Sequence, residues 1–350
     1  MNLRRCGFAL CWSLSACACI EGQSPRRGRV VTLRDQADMA VIAAERDSTD
    51  VDRLFDAGSL LVRAEDPVRG LPYLKRALAR GGLDTLRTAG AHAYLGEAYF
   101  MTGQYVDAGR EFEQSLALDP SDAQAGYFSL MLGYDSAYRG WRTFETSHLR
   151  IHVSPASNIT DLSRFANARE SALLPVMQVF PSTPLKKIDL FVWSSADEAI
   201  RARLPVQLSY PLQGFGAAHV LASQPPGREL AHLVSVRALG TIEASALTYY
   251  GLAAMFDRPG RNLKADARRA ARAAGINPVD IRGMWQNWHL YPDTVATPIA
   301  AALLAEILER GGPARFGALV RHPQMGDADS LYGTQLQIWI DDFQRDMRPY

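Results

Sequence analysis

The apolar positions of residues 36 to 138 recur with a helical period, and this part of the chain has no strand-like alternation. From Trp141 the pattern changes to alternating apolar and polar residues in TFETSHLRIHVS, which predicts a strand. A helix, the buried strand KKIDLFVW, another helix and the short strand GAAHVLAS near the sheet edge are predicted next, followed only by helices. The pattern therefore predicts an α+β protein, with an all-α half at 36 to 140 and a small mixed sheet with C-terminal helices at 141 to 350.

One segment of the helical half resembles a tetratricopeptide repeat. In AHAYLGEAYFMTGQYVDAGREFEQSLALDP the matching positions are Leu95, Gly96, Tyr99, Ala108, Phe112 and Pro120. The small residues Gly96 and Ala108 let the two helices of a hairpin approach closely, and the two aromatic rings fill the space between them. The proline ends the second helix, because its ring clashes with the preceding turn.

An earlier segment, VDRLFDAGSLLVRAEDPVRGLPYLKRALARGG, resembles the same repeat, with Gly58 at the position of Gly96 and Leu74 at that of Phe112. A short insertion around GGLD separates the copies, and SDAQAGYFSLMLGYDSAY is predicted to form a third or capping helix. Two or three repeats bury little apolar surface alone, so we expect them to pack on the second half. The concave face of such an array binds a peptide or a partner segment, so it is the predicted protein-binding site.

The cysteines are confined to the first nineteen residues, at Cys6, Cys11, Cys17 and Cys19. The folded domains therefore have no disulfide framework and no cysteine-based metal site. Arg4 and Arg5 followed by a short apolar run are typical of a secretory signal. The run is too short to span a bilayer.

The apolar run ends in LSAC, residues 14 to 17, which resembles the bacterial lipobox. The resemblance implies cleavage before Cys17 and attachment of a lipid to its thiol, so residues 1 to 16 are a predicted signal peptide and 17 to 35 a tether. The alternative is a plain secretory signal with incidental cysteines. Ala18 resembles the outer-membrane sorting pattern, which implies a lipid-anchored protein of the bacterial cell envelope that faces the periplasm.

The formal net charge is only +1 and no dense stripe of Lys and Arg occurs, so the sequence does not indicate nucleic-acid binding. The basic run RPGRNLKADARRAARAAG, residues 258 to 275, is better explained by a solvated helix face than by a binding patch. His148 and His152 share one face of the first predicted strand with Arg150. An exposed polar strand face is favoured there over a metal-binding pair.

Residues 141 to 350 resemble the gluzincin, or peptidase MA-like, domain that is often found beside tetratricopeptide repeats in bacterial lipoproteins. The similar segments are HLRIHVSP, KKIDLFVWSSADEA, GRELAHLV with YYGLAAMFD, and LLAEILERGGPARFGALV with WIDDF. The resemblance implies a zincin-like fold. In this family two histidines on one helix face bind zinc, a glutamate between them is the general base, and the next helix supplies a third ligand, a glutamate.

This chain departs from that ligand pattern at two positions. Arg228 stands at the first histidine and Tyr250 at the third ligand, whereas Glu229 matches the general base and His232 the second ligand. An arginine offers donors only and its charge repels a cation, and a neutral phenol is a poor zinc ligand at pH 7. Gly251, which usually follows the third ligand, is retained. The resemblance therefore implies the remnant of a zinc site, and no cofactor is predicted.

Three hypotheses for the function follow. The first is a lipid-anchored binding or scaffolding protein with a pseudopeptidase domain, which takes a protein or peptide in the repeat groove and the zincin-like cleft. In it, a polar network of the remnant residues replaces zinc. The second is an active zinc metallopeptidase that combines His232 with a substitute ligand, namely His219, Glu243 or Glu229. The third assigns the function to the repeats alone, with the second domain as inert support.

Overall fold

The computed structural model describes residues 31 to 204, 210 to 240, 242 to 276 and 278 to 348. The predicted signal peptide, Cys17 and most of the predicted tether lie outside these ranges. Among the helices of the described ranges, none combines the length and the apolar character that a membrane crossing requires. The chain is an α+β protein, in which helical repeats precede a small mixed sheet and a set of C-terminal helices, as the sequence predicts.

Helices form the whole of the described N-terminal region up to residue 131. They are α1 (Leu33–Arg46), α2 (Val51–Arg63), α3 (Pro67–Arg80), α4 (Thr85–Met101), α5 (Tyr105–Leu118) and α6 (Ala123–Met131). The carboxylates of Asp50, Asp84 and Asp122 accept backbone N–H groups at the starts of α2, α4 and α6. These caps satisfy amides that the helices leave unpaired, which explains why each helix begins where it does.

Helices α2 and α3, and helices α4 and α5, form two hairpins, one for each predicted copy of the repeat. A Cβ added at Gly58 would lie 2.6 Å from Cγ of Leu74, and one added at Gly96 would lie 2.9 Å from the ring of Phe112. Both distances are shorter than van der Waals contact, so the two glycines allow the predicted close approach of the helices. Helix α5 ends just before Pro120, which is also as predicted.

Strands of the described second half form one sheet. They are β1 (Arg142–Glu145), β2 (Leu149–Val153), β3 (Ile188–Trp193), β4 (Tyr210–Leu212) and β5 (Ala217–Leu221). The sheet order is β1-β2-β3-β5-β4. Strands β2, β3 and β5 are parallel, and the two edge strands are antiparallel to their neighbours. The segment GAAHVLAS, predicted near the edge, forms β5, which is one strand in from it.

The prediction of one strand in TFETSHLRIHVS is wrong, because this segment forms a hairpin of β1 and β2. Phe144 pairs with Ile151 across the hairpin, and residues 146 to 148 make the turn. The alternation continues through both strands, so the period alone does not reveal the reversal. Strand β4 was also not predicted, because its Pro211 argues against a strand. A proline is tolerated at a sheet edge, because an edge strand pairs on one side only.

Helices cover the rest of the described second half. They are α7 (Leu162–Val179), α8 (Ala196–Arg201), α9 (Arg228–Leu239), α10 (Ala246–Met255), α11 (Leu263–Ala273), α12 (Ile281–Gln286), α13 (Asp293–Arg321), α14 (Met325–Tyr332) and α15 (Thr334–Asp346). The sequence predicts separate helices in TVATPIAAALLAEILERGG and PARFGALVR. This prediction is confirmed, since the positive φ of 76° at Gly312 breaks the helical backbone within α13.

The sheet separates two apolar cores. Inward-facing residues of β2, β3 and β5, such as Ile151 and Leu190, pack against α7, α9, α10 and α13 on one face. On the other face, Phe191 of β3 packs with Phe100 and Met131 of the repeats. The repeats therefore pack on the second half, as expected from their small number.

A buried charged cluster, here called the Asp189 cluster, lies between the repeats and the sheet. It consists of Asp189, Lys186, His152 and Tyr105. The fully buried Asp189 accepts hydrogen bonds from Lys186 Nζ at 2.6 Å and from His152 Nε2 at 2.8 Å. Tyr105 Oη donates a third at 3.1 Å. Burial acts to raise the pKa of Asp189, but the neighbouring Lys186 and His152 more than offset this effect and hold the pKa below its ordinary value.

The Asp189 cluster corrects the prediction of an exposed polar strand face at His148 and His152, as far as His152 is concerned. The repeats cover this face, and the side chain of His152 is only 13% exposed. Its ring stacks on Phe191, with a centroid distance of 4.6 Å. His148 immediately precedes β2, has a side chain that is 36% exposed and pairs through Nδ1 with the Glu170 carboxylate of α7. Alternation in a strand separates two faces, but it does not show which face another domain covers.

Candidate functional site

Two glycines allow close packing in the region that resembles the zinc-peptidase motif, one between α9 and the end of α10 and one between α10 and α13. A Cβ added at Gly227, immediately before α9, would lie 1.9 Å from the backbone oxygen of Phe256, which follows α10. The Gly227 N–H also donates a hydrogen bond to the Asp257 carbonyl at 3.1 Å. At Gly251 an added Cβ would lie 2.9 Å from Ala300 of α13. The retained Gly251 therefore has a packing role that does not depend on a metal.

Glu229, in the first turn of α9, is buried beside two guanidinium groups. Its carboxylate lies 4.0 Å from Nε of Arg228. Arg169 of α7 is also buried; its guanidinium packs 3.6 Å from the Phe165 ring centroid and donates to the Gln224 carbonyl at 3.4 Å. Burial lowers the pKa of Arg169 to about 10, and the charge of Glu229 opposes this shift. Arg169 could not be identified from the sequence, because nothing in the motif indicates that α7 approaches α9.

His232 contacts Tyr249, the neighbour of the predicted ligand position Tyr250. The two rings stack with a centroid distance of 4.4 Å and an interplanar angle of 18°. Tyr250 stacks instead on Trp288 at 5.5 Å. Burial and then the charge of Arg228 lower the pKa of His232 to about 4, so its imidazole is neutral at pH 7. In the sequence, only the adjacent tyrosines of YYGLAAMFD indicated that aromatic rings stack here.

His219, one of the substitute zinc ligands, is placed on the opposite side of the sheet from α9. Its ring accepts a hydrogen bond from Trp193 Nε1 at 2.9 Å and donates one to the Met131 carbonyl at 2.9 Å. Burial lowers its pKa to about 4. The structure therefore does not bring this substitute ligand to His232, because Ala218 and Val220 are the β5 residues that face the core containing α9.

Glu243, another substitute ligand, lies before α10 and not within it, since α10 begins at Ala246. Its carboxylate pairs with Nδ1 of His322 at 2.7 Å. In the part of the chain that the structure describes, no group of three or more His, Cys, Asp or Glu side chains is arranged to hold a metal ion. With arginine and tyrosine at the other two ligand positions, the donor set around His232 does not fit the three-ligand arrangement of catalytic zinc.

A cleft of about 820 Å³, here called the helix cleft, lies between the α9 and α10 helices and the N-terminal helices. His232, Thr248 and Tyr249 line it from the second half of the chain. Arg34 of α1 and Arg63 of α2 line it from the first half. His232 thus faces a cavity that both halves of the protein build.

A second cavity of about 640 Å³, here called the repeat pocket, lies between the repeats and edge strand β4. Tyr94 and Glu97 of α4, with Gln124 of α6, line the repeat side, and Leu212 lines the sheet side. The residues that line both cavities are Leu33, Arg63, Glu65 and Gln213. The helix cleft and the repeat pocket therefore adjoin each other at these residues, and together they form what is called the groove below.

Comparison with known proteins identifies the repeat. The family model for the tetratricopeptide repeat matches residues 89 to 122, which comprise most of α4, the whole of α5 and the turn after it. The predicted second repeat copy is thereby confirmed. No curated protein and no solved structure shows significant similarity to the chain.

Proposed function

We propose that this protein is a lipid-anchored binding protein of the bacterial cell envelope, which holds an extended segment of a partner protein in the groove and does not cleave it. The position of the repeat pocket next to the helix cleft, with four lining residues in common, carries this proposal. Tetratricopeptide repeats mediate protein–protein interaction, and the matched repeat contributes Glu97 and Met101 to the groove. A segment bound to the repeats would therefore extend towards His232 and Tyr249.

The groove has the chemistry that an extended polypeptide requires. Gln124 and Gln213 supply side-chain amides, and Ser245 and Thr248 supply hydroxyls, so donors and acceptors for a peptide backbone occur along its length. Aromatic and aliphatic walls between these groups offer apolar surface for side chains. The groove thus suits a ligand with alternating polar and apolar groups.

The substitutions at the zinc ligand positions support binding without hydrolysis. Arg228 brings a positive charge beside both Glu229 and His232, and the Tyr250 ring is stacked on Trp288. A standard zinc peptidase needs a metal-bound water that the glutamate can deprotonate, and these side chains do not assemble that arrangement. The lipobox-like LSAC supports the anchor at Cys17 and the location in the envelope.

The proposal predicts that blocking the junction of the two cavities abolishes peptide capture. Gln213 lines both cavities and is exposed, so Gln213→Trp should fold normally and fill the groove. Linear peptides selected from a random library on the parent protein should bind this variant at least about tenfold more weakly, a loss of about 1.4 kcal/mol. Isothermal titration calorimetry measures the affinities.

The matched control is Gln114→Trp, which makes the same change at an exposed position of α5 that lines neither cavity. It should bind the selected peptides as the parent does. If the library yields no binders, or if Gln213→Trp binds them as tightly as the control, the groove is not the binding site and the proposal is wrong.

A further inference from the structure

A buried carboxylate lies in the repeat pocket. Glu97 is on α4 within the matched repeat, and the residue is only 4% exposed although it lines the cavity. Its Oε1 accepts a hydrogen bond from Gln124 Nε2 at 2.8 Å. Among the described residues this is the only hydrogen bond found for the carboxylate, and no ion pair to it is present. A carboxylate that loses its hydration without gaining a cation is destabilised in its charged form.

Aromatic rings form the walls around this carboxylate. Tyr94, Tyr127, Phe128 and Phe215 all line the repeat pocket. The Phe128 ring lies 4.9 Å from that of Phe215 and 5.2 Å from that of Tyr127, measured between centroids. Aromatic faces attract cations, and most strongly where water is excluded. The aromatic walls therefore favour a bound cation, as the carboxylate of Glu97 does.

The charges around Glu97 leave it without a close counter-ion. Burial is the main cause of the raised pKa of Glu97, which is about 7. The negative charge of Asp122, the N-cap of α6, also acts to raise this pKa. The hydrogen bond from Gln124 and the positive charge of Arg63, at the junction with the helix cleft, lower the pKa of Glu97 and so oppose this shift. Arg63 and Glu65, which carry opposite charges, are the other charged residues of the pocket lining, so the ionised lining has a net negative charge from Glu97. A bound cation would compensate both the desolvation and the repulsion.

We infer that the repeat pocket binds a lysine or arginine side chain of the partner segment, with Glu97 as its counter-ion and the aromatic rings around its aliphatic stem. This inference rests on the proposed function, because it assigns one position of the peptide that the groove holds. A basic side chain that reaches Glu97 would bury its charged end, since Glu97 is only 4% exposed. Long basic side chains also carry apolar stems that suit such walls. The partner is therefore a protein with a basic residue in an extended segment.

The test is a selection of random linear peptides on three proteins: the parent, Glu97→Gln and Glu113→Gln. Glu97→Gln preserves the shape of the side chain and its contact with Gln124, so the variant should fold. Glu113 is exposed on α5, outside both cavities, so Glu113→Gln makes the same charge change as a matched control. Lysine and arginine should be enriched at one peptide position on the parent and the control, and not on Glu97→Gln.

A second readout uses one selected peptide and its analogue with norleucine in place of the basic residue. The parent should bind the norleucine analogue about tenfold more weakly, and Glu97→Gln should not distinguish the two peptides. Affinity of the parent for the basic peptide should also rise between pH 6 and pH 8, because a cation binds the ionised form of Glu97, whose pKa is about 7. Affinity for the norleucine analogue should not rise.

The outcomes separate this inference from the proposed function. Selected peptides without a preferred basic residue, or a basic preference that persists in Glu97→Gln, overturn the inference and leave the groove as a peptide site. A failure of all three proteins to select any peptide overturns both.

Discussion

Asp189→Ala is expected to destabilise the protein by about 3 to 5 kcal/mol, the range measured when one partner of a buried ion pair is removed. Asp189 is fully buried and Lys186 is nearly so, and their side chains are 2.6 Å apart. The substitution would leave the Lys186 ammonium without its carboxylate between the repeats and the sheet. Urea denaturation of parent and variant measures the difference in the free energy of unfolding.

The control for this prediction is Glu145→Ala, which removes an exposed carboxylate from the same sheet. Glu145 of β1 pairs with Lys187 at 2.8 Å, but the glutamate side chain is 50% exposed. Solvent-exposed pairs contribute up to about 1 kcal/mol, so this variant should remain close to the parent. Equal effects of the two substitutions would contradict the structural role assigned to the Asp189 cluster.

Gly227→Ala is expected to destabilise the protein by about 3 kcal/mol, at the upper end of the usual range for overpacking. The added methyl group would lie 1.9 Å from the Phe256 carbonyl oxygen, which is a backbone atom and cannot rotate away. Helices α9 and α10 would have to separate, so the geometry of the helix cleft should change as well. Thermal unfolding and peptide affinity together measure both consequences.

Gly126→Ala in α6 is the matched control, because an added Cβ there meets no atom within 4 Å. Alanine is favoured over glycine within a helix, so this variant should be more stable than the parent by roughly 0.5 to 1 kcal/mol. If Gly227→Ala were as stable as the parent, the close packing of α9 against the end of α10 would be incorrect.

The repeat region could be predicted well because local sequence encodes its packing. Gly58 and Gly96 mark the close contacts of the helical hairpins, and the aromatic ring of Phe112 occupies the predicted space. The helix that carries the motif in the second half could also be predicted from local spacing, because residues three apart on a helix share a face. Glu229 and His232 are accordingly on α9 as predicted.

Features that depend on tertiary contacts could not be read from the sequence. Alternation along β5 did not reveal that His219 faces the repeats, and the position of His232 did not reveal that Tyr249 would stack on it. The groove could not be predicted from the sequence either, because residues far apart in the chain, such as Arg63 and Gln213, come together to form it. The packing of the two halves determines the first and third of these arrangements, and the packing of α9 on α10 determines the second.

The central claim is that the protein binds its partner without zinc-dependent hydrolysis. The zinc content of the purified protein tests this claim most directly. It is measured by inductively coupled plasma mass spectrometry after growth with added zinc. The double variant Arg228→His with Tyr250→Glu restores both ligand types and serves as the positive control for the assigned register. We expect the parent to retain far less than one zinc ion per chain and the double variant to retain more. One tightly held zinc ion per parent chain, lost to a chelator together with peptidase activity, would contradict the account.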